Sequence, residues 1–128
     1  MLTPLALVVF IVIIGLLTLF QLALALGAPW GRFAWGGRHS GVLPTGYRVA
    51  SAVAVLPYAF MAMLAADRAG VIEVVPDGVA RVGMWVVFGL LALGVLMNAI
   101  SRSKPERYTM TPVTFVLAAA ALLIAISG

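Results

Sequence analysis

The sequence predicts an all-α integral membrane protein folded as an antiparallel four-helix bundle, and three observations carry that expectation. The 8 basic and 4 acidic side chains fall in three short clusters, leaving four charge-free apolar stretches. Hydrophobic residues make up 64% of the chain and charged residues only 9%, whereas about 25% of a soluble domain is charged. The stretches reach or approach the roughly 20 apolar residues needed to cross a hydrocarbon core about 30 Å thick. Within lipid, a lone segment satisfies its own backbone groups only as a helix.

The spans are placed approximately at 5–27, 49–66, 82–100 and 112–127, within one transmembrane domain covering 1–128. The first stretch lacks a basic leading region and exceeds the roughly 7–15-residue apolar core of a cleaved signal peptide. It is therefore read as a retained helix, despite the small residues Ala25, Gly27 and Ala28. Thr3–Pro4 and Thr111–Pro112 each set a hydroxyl cap before a proline at the first helical position, where a missing N–H costs nothing. Thr45 and Asp77 are expected to cap the second and third helices, and Gly27 and Gly70 to close the first and second. Pro57, in the middle of the second span, removes a backbone bond, so a kink is expected there.

Loop charge sets the expected orientation. The first and third loops hold Arg32, Arg38, Arg48, Arg102, Lys104 and Arg107 against a single acid, Glu106. The second loop has Arg68 and Arg81 but also Asp67, Glu73 and Asp77. Lys and Arg accumulate on the cytoplasmic side, so both termini are expected outside. The abundance of Ala, Gly and Val, with seven Arg against one Lys, resembles the composition of a GC-rich bacterial genome. The expected location is a bacterial inner membrane. The net charge of +4 then faces anionic lipid headgroups, the nearer partner, rather than nucleic acid. With no cysteine, disulfides and thiol chemistry are excluded.

Small residues four apart, such as Ala23 and Gly27, Ala50 and Ala54, Ala62 and Ala66, and Ala121 and Ala125, suit close helix packing. So do Gly83, Gly89 and Gly94 in the third span, since lipid gives helices no hydrophobic reason to associate.

The first loop mixes glycines with Trp30, Phe33, Trp35, Arg32, Arg38 and His39. One reading is an interfacial anchor, with Trp at the headgroup level and Arg reaching phosphate. The other is a lid or re-entrant element lining a cavity, where irregular backbone is tolerated at membrane depth. The string lacks the Gly-Lys-Ser/Thr ending of a nucleotide loop, so that site is rejected. GAPWGRFAWGG, followed by VLP, Arg48 and a later SRSKPER, resembles an uncharacterised family of small bacterial four-span membrane proteins. The resemblance implies the four-span layout and carries no activity or catalytic residue.

Within the spans, Gln21, Ser51, Asn98 and Thr114 lie towards the end bearing the basic loops, with Thr18 and Tyr58 deeper. Polar groups in hydrocarbon turn inward and bond across helices. They serve either as glue or as the floor of a pocket roofed by the first loop. The candidate ligand residues are Gln21, Arg32, Arg38, His39, Arg48, Asn98 and Arg102. No catalytic residue, metal site or cofactor is assigned, because His39 is the only histidine and no span holds paired carboxylates.

The leading functional expectation is a non-enzymatic binding or accessory protein, for a lipid or apolar ligand or within a membrane complex. The alternative is a small-molecule transporter acting as a dimer, disfavoured because every acid lies in a loop and such transporters use a membrane-embedded one. A lipid-modifying enzyme using His39 and the first-loop arginines is the third. A homo-oligomer or a larger complex fits each.

Overall fold

The computed structural model describes residues 2–127, and every regular element among them is helical. Met1 and Gly128, the ends of the expected domain, lie outside the described residues. The helices are α1 (Leu2–Ala25), α2 (Thr45–Val53), α3 (Val55–Arg68), α4 (Asp77–Ala99) and α5 (Lys104–Ser127). Taken together, α2 and α3 make one span, so four helices of 23 or 24 residues are long and apolar enough to cross a membrane. At about 1.5 Å per residue each reaches about 35 Å.

The break between α2 and α3 falls at Ala54, three residues before Pro57. A proline lacks an N–H and its ring obstructs the carbonyl one turn earlier, so the helical bonding is interrupted at this position while Ala54 keeps helical φ and ψ. The glycine stops are also found. Gly27 has φ of +102° and Gly70 +84°. At each, the glycine N–H and the next one reach back to close the last turn: Gly27 to Leu24 and Ala28 to Ala23, Gly70 to Asp67 and Val71 to Ala66.

Four helix starts differ from expectation, the first because α1 already includes Leu2 and Thr3, so Thr3 is a helical residue and not its cap. The last helix begins at Lys104, well before the Thr111–Pro112 pair. Ser-Lys-Pro-Glu is the stronger start signal. Ser103 Oγ accepts the Glu106 N–H at 3.4 Å, and Pro105 occupies the first turn, where its absent N–H is harmless. Pro112 therefore lies inside the helix, and the Thr111 hydroxyl is buried without a partner among the described residues. Thr45 and Asp77 are the first helical residues rather than caps. Pro44 and Pro76 hold the cap positions, with ψ of 156° and 148°. Their carbonyls accept from Arg48 and Ala80 N–H.

The helices close a ring: α1 packs on α2 and α3, α3 on α4, α4 on α5, and α5 back on α1. The main core is Phe10, Ile14, Leu64, Ala65, Met84, Leu117, Ala121 and Ile124 with their neighbours. It fills the half of the bundle nearer the termini. Small residues do bring helices together there: Ala118, Ala120, Ala121 and Ala125 are buried. Gly83 meets Leu64, and Gly94 meets Thr114, while Gly89 faces open space. The outer faces remain apolar. Leu5, Val8, Val12, Leu16 and Leu19 form an exposed stripe along α1 at helical spacing.

At the terminal end, the Thr3 and Ser127 hydroxyls lie 2.6 Å apart. Arg68 donates to the Ala125 carbonyl at 2.9 Å through Nη2, filling an open position at the end of α5. Asp67 accepts the Val74 and Val75 N–H groups at 2.7 and 2.9 Å and thereby shapes the second loop.

Candidate functional site

The opposite half of the bundle is less completely packed. The first loop folds over it as two short 3-10 turns, Gly31–Phe33 and Trp35–Gly37. A small second core of Leu24, Ala34 and Leu43, with Phe20 and Tyr47, seats the loop on the bundle. Two glycines are required by close approach. A Cβ on Gly31 would strike the His39 carbonyl, and one on Gly37 would strike Ser103. Gly37 also has φ of +69°. Trp35 has φ of +53°, unusual for a bulky side chain. It is held there by its Nε1–H, which donates to Ser51 Oγ at 3.0 Å, and by the Tyr47 ring 5.8 Å away.

The third loop locks this lid in place. Ser103 Oγ donates to the Arg32 carbonyl at 2.5 Å. The Gly36 N–H donates to Glu106 Oε2 at 3.3 Å. Glu106 stands three residues after the Ser103 cap, where a glutamate ordinarily turns back to the cap's own N–H. Here the Ser103 N–H goes to Ser101 Oγ instead, and Glu106 reaches the first loop. Glu106 is only 6% exposed, in the first turn of α5, where the helix dipole favours negative charge.

Beneath the lid lies an inner, partly open cleft of about 290 Å³, lined by Gln21, Asn98, Glu106, Thr114 and Tyr58 among apolar neighbours including Leu17, Phe20 and Met110. An open outer vestibule of about 1150 Å³ lies beside it, lined by Arg32, Arg38, Arg102, Tyr47, Met97 and Ile100 among others. Trp35, Asn98 and Glu106 border both spaces. Asn98 Nδ2 donates to Thr114 Oγ1 at 2.9 Å across α4 and α5. Gln21 Oε1 is buried without a hydrogen-bond partner among the described residues.

Five of the seven candidate ligand residues thus meet at this place: Gln21 and Asn98 inside, and Arg32, Arg38 and Arg102 at the mouth. Two do not. His39 packs its ring 5.2 Å from Tyr47, and it lines neither space. Arg48 donates to the Ala25 carbonyl at 3.0 Å and borders a separate cleft. A guanidinium beside the last carbonyls of α1 fills open acceptors and complements the helix dipole. Ser51 was expected in the floor, but it is wholly buried as the acceptor for Trp35.

Sequence reasoning missed Glu106 and Trp35. It also placed every acid in a loop, whereas Glu106 belongs to α5, Asp67 to α3 and Asp77 to α4. The Ser-x-x-Glu spacing was the available signal for Glu106. Nothing local marks Trp35, whose partner Ser51 is 16 residues away. Comparison of the chain with family models, curated protein sequences and solved structures gives no match.

Proposed function

We propose that this chain is a multi-pass protein of a bacterial inner membrane that binds a small amphipathic ligand in the chamber beneath its first loop. In this reading it acts as a binding or accessory protein, with no catalytic residue assigned. Four apolar helices support the membrane placement. The cluster of basic side chains on the first and third loops supports extracytoplasmic termini. The loop strings GAPWGRFAWGG and SRSKPER support kinship with the small four-span bacterial family. Membrane lipids are the nearest partners, and self-association or a larger complex is compatible with the apolar outer faces.

The observation that carries the ligand reading is the polar chamber in an otherwise apolar bundle. Buried polar groups are normally satisfied from within the protein. Here Gln21 Oε1 is buried without a partner among the described residues, and Gln21 joins Asn98 and Glu106 in lining a partly open space of about 290 Å³. Native mass spectrometry of protein extracted in mild detergent tests it. A bound species is expected, and Ala54→Leu, which adds bulk to the cavity wall, should remove it while leaving thermal stability nearly unchanged. An empty wild-type protein, or an Ala54→Leu variant that keeps the species, would overturn the reading.

A second reading, a transporter acting as a dimer, gains support from Glu106, a buried acid within a long apolar helix. Uptake into proteoliposomes that is lost in Glu106→Gln would favour it.

A further inference from the structure

The two neighbouring spaces share a wall of Trp35, Asn98 and Glu106, which sets a carboxylate between them, and three arginines line the outer one. Glu106 is 6% exposed and receives the Gly36 N–H at 3.3 Å; no arginine or lysine bonds it among the described residues. Two donors on the wall are already committed. Asn98 gives one amide N–H to Thr114 and Trp35 gives its indole N–H to Ser51, which leaves the Asn98 carbonyl, its second N–H and the carboxylate facing the two spaces. A buried carboxylate needs a paired charge and several hydrogen-bond donors. At the mouth, Arg32, Arg38 and Arg102 face the same vestibule that Glu106 borders. A simple anion would meet Glu106, and a simple cation would meet three guanidinium groups.

We infer that the chamber takes a zwitterion in which a primary ammonium group is joined by a short linker to a phosphate. This is the chemistry of an ethanolamine phospholipid headgroup and equally of free phosphoethanolamine. The inference rests on the ligand-binding reading above. The ammonium sits against Glu106 and the Asn98 carbonyl, offering three N–H donors where the wall offers acceptors. The phosphate meets the arginines, whose planar donor forks match its oxygens. A quaternary ammonium has no N–H to give, so it keeps only the charge attraction of Glu106 and the aromatic faces of Trp35 and Tyr47. Met97 and Ile100, 58% and 64% exposed, lie on the rim of the vestibule. They provide an apolar exit for acyl chains towards the outer faces of the helices.

The test is retention of defined molecules by the detergent-purified full chain, read by native mass spectrometry. The probes are phosphatidylethanolamine, its N-methylated series through phosphatidylcholine, phosphatidylglycerol and free phosphoethanolamine. Ethanolamine lipid should be retained at least about tenfold better than the choline or glycerol lipid, falling stepwise as N–H groups are methylated. Glu106→Gln keeps an acceptor for Gly36 and should remove the preference for ethanolamine over glycerol lipid without reducing glycerol-lipid retention. Arg38→Ala with Arg102→Ala should weaken both. The methylation series uses only wild-type protein, so it remains decisive if a variant fails to fold. Retention of free phosphoethanolamine without lipid would keep the inference with a soluble source. Equal retention of choline, glycerol and ethanolamine lipids would overturn it. If another molecule is bound and is lost in Ala54→Leu, the chamber stands and the zwitterion falls. If nothing is bound, both fall.

Discussion

At the scale of single residues, the contact between the first and third loops depends on two adjacent glycines with different duties. Gly36 and Gly37 have φ of +76° and +69°, so either one replaced by alanine strains the backbone by about 1–2 kcal/mol. A Cβ on Gly36 would meet nothing, but one on Gly37 would run into Ser103. Ser103 has little freedom to retreat, because its hydroxyl serves both the Arg32 carbonyl and the Glu106 N–H. Gly37→Ala should therefore destabilise the protein clearly more than Gly36→Ala in detergent unfolding. Equal losses would show that the two loops do not meet as described. Ser103→Ala should cost about 1 kcal/mol through the lost cap and should also loosen the lid. Limited proteolysis within 31–43 measures the second effect, and an unchanged cleavage rate would contradict it.

At the scale of elements, two arginines from the second span finish other helices. Arg48, near the start of that span, bonds the Ala25 carbonyl, and Arg68, at its end, bonds the Ala125 carbonyl. The span thereby ties down the last turns of α1 and α5 at opposite ends of the bundle. Arg48→Met keeps most of the apolar stem and removes the charge and the donors. It should lower stability by about 1 kcal/mol and leave ligand retention unchanged. A loss of retention with stability intact would return Arg48 to the site where the sequence alone puts it. The same span shows how an element's ends escape local reading. Thr45 has a fitting capping side chain, but Pro44 already sets the extended entry, so the helix begins one residue earlier than the hydroxyl suggests.

At the scale of the whole molecule, the bundle divides into a closely packed half and a half that holds a cleft. The main core gathers near the termini, whereas the inner cavity lies under the basic loops. The main packed core is thus at one end and the candidate ligand groups at the other. Orientation is directly measurable, since the chain has no native cysteine among its residues. Single cysteines at Ser127 and at Ser40, both exposed, should behave oppositely in intact cells. An impermeant maleimide should label the first and reach the second only after permeabilisation; the reverse pattern would invert the topology. Leu16, 61% exposed in mid-span on the outer stripe of α1, offers a further test of membrane placement. Leu16→Arg sets a charge against lipid at a cost of about 2.5–3.5 kcal/mol, so membrane-integrated protein should fall sharply. Undiminished integration would mean that this stripe is covered by something other than lipid.

The sequence by itself determined the helical class, the number of long apolar helices, the glycine stops at Gly27 and Gly70, and the proline-linked break in the second span. These properties depend on runs of neighbouring residues: charge exclusion, apolar length and local backbone preference. It also singled out the end of the bundle where Gln21, Asn98, Arg32, Arg38 and Arg102 gather, because helices of similar length bring residues of similar depth together. Only the tertiary structure decided that Glu106 is buried against the first loop, that Trp35 is pinned to Ser51, and that Arg48 and His39 are engaged elsewhere. Each of those outcomes turns on a partner distant in the chain, such as Gly36 and Glu106, which are 70 residues apart. No local pattern encodes such a pair. Its geometry exists only once the loops have closed over the bundle and removed water as the competing partner.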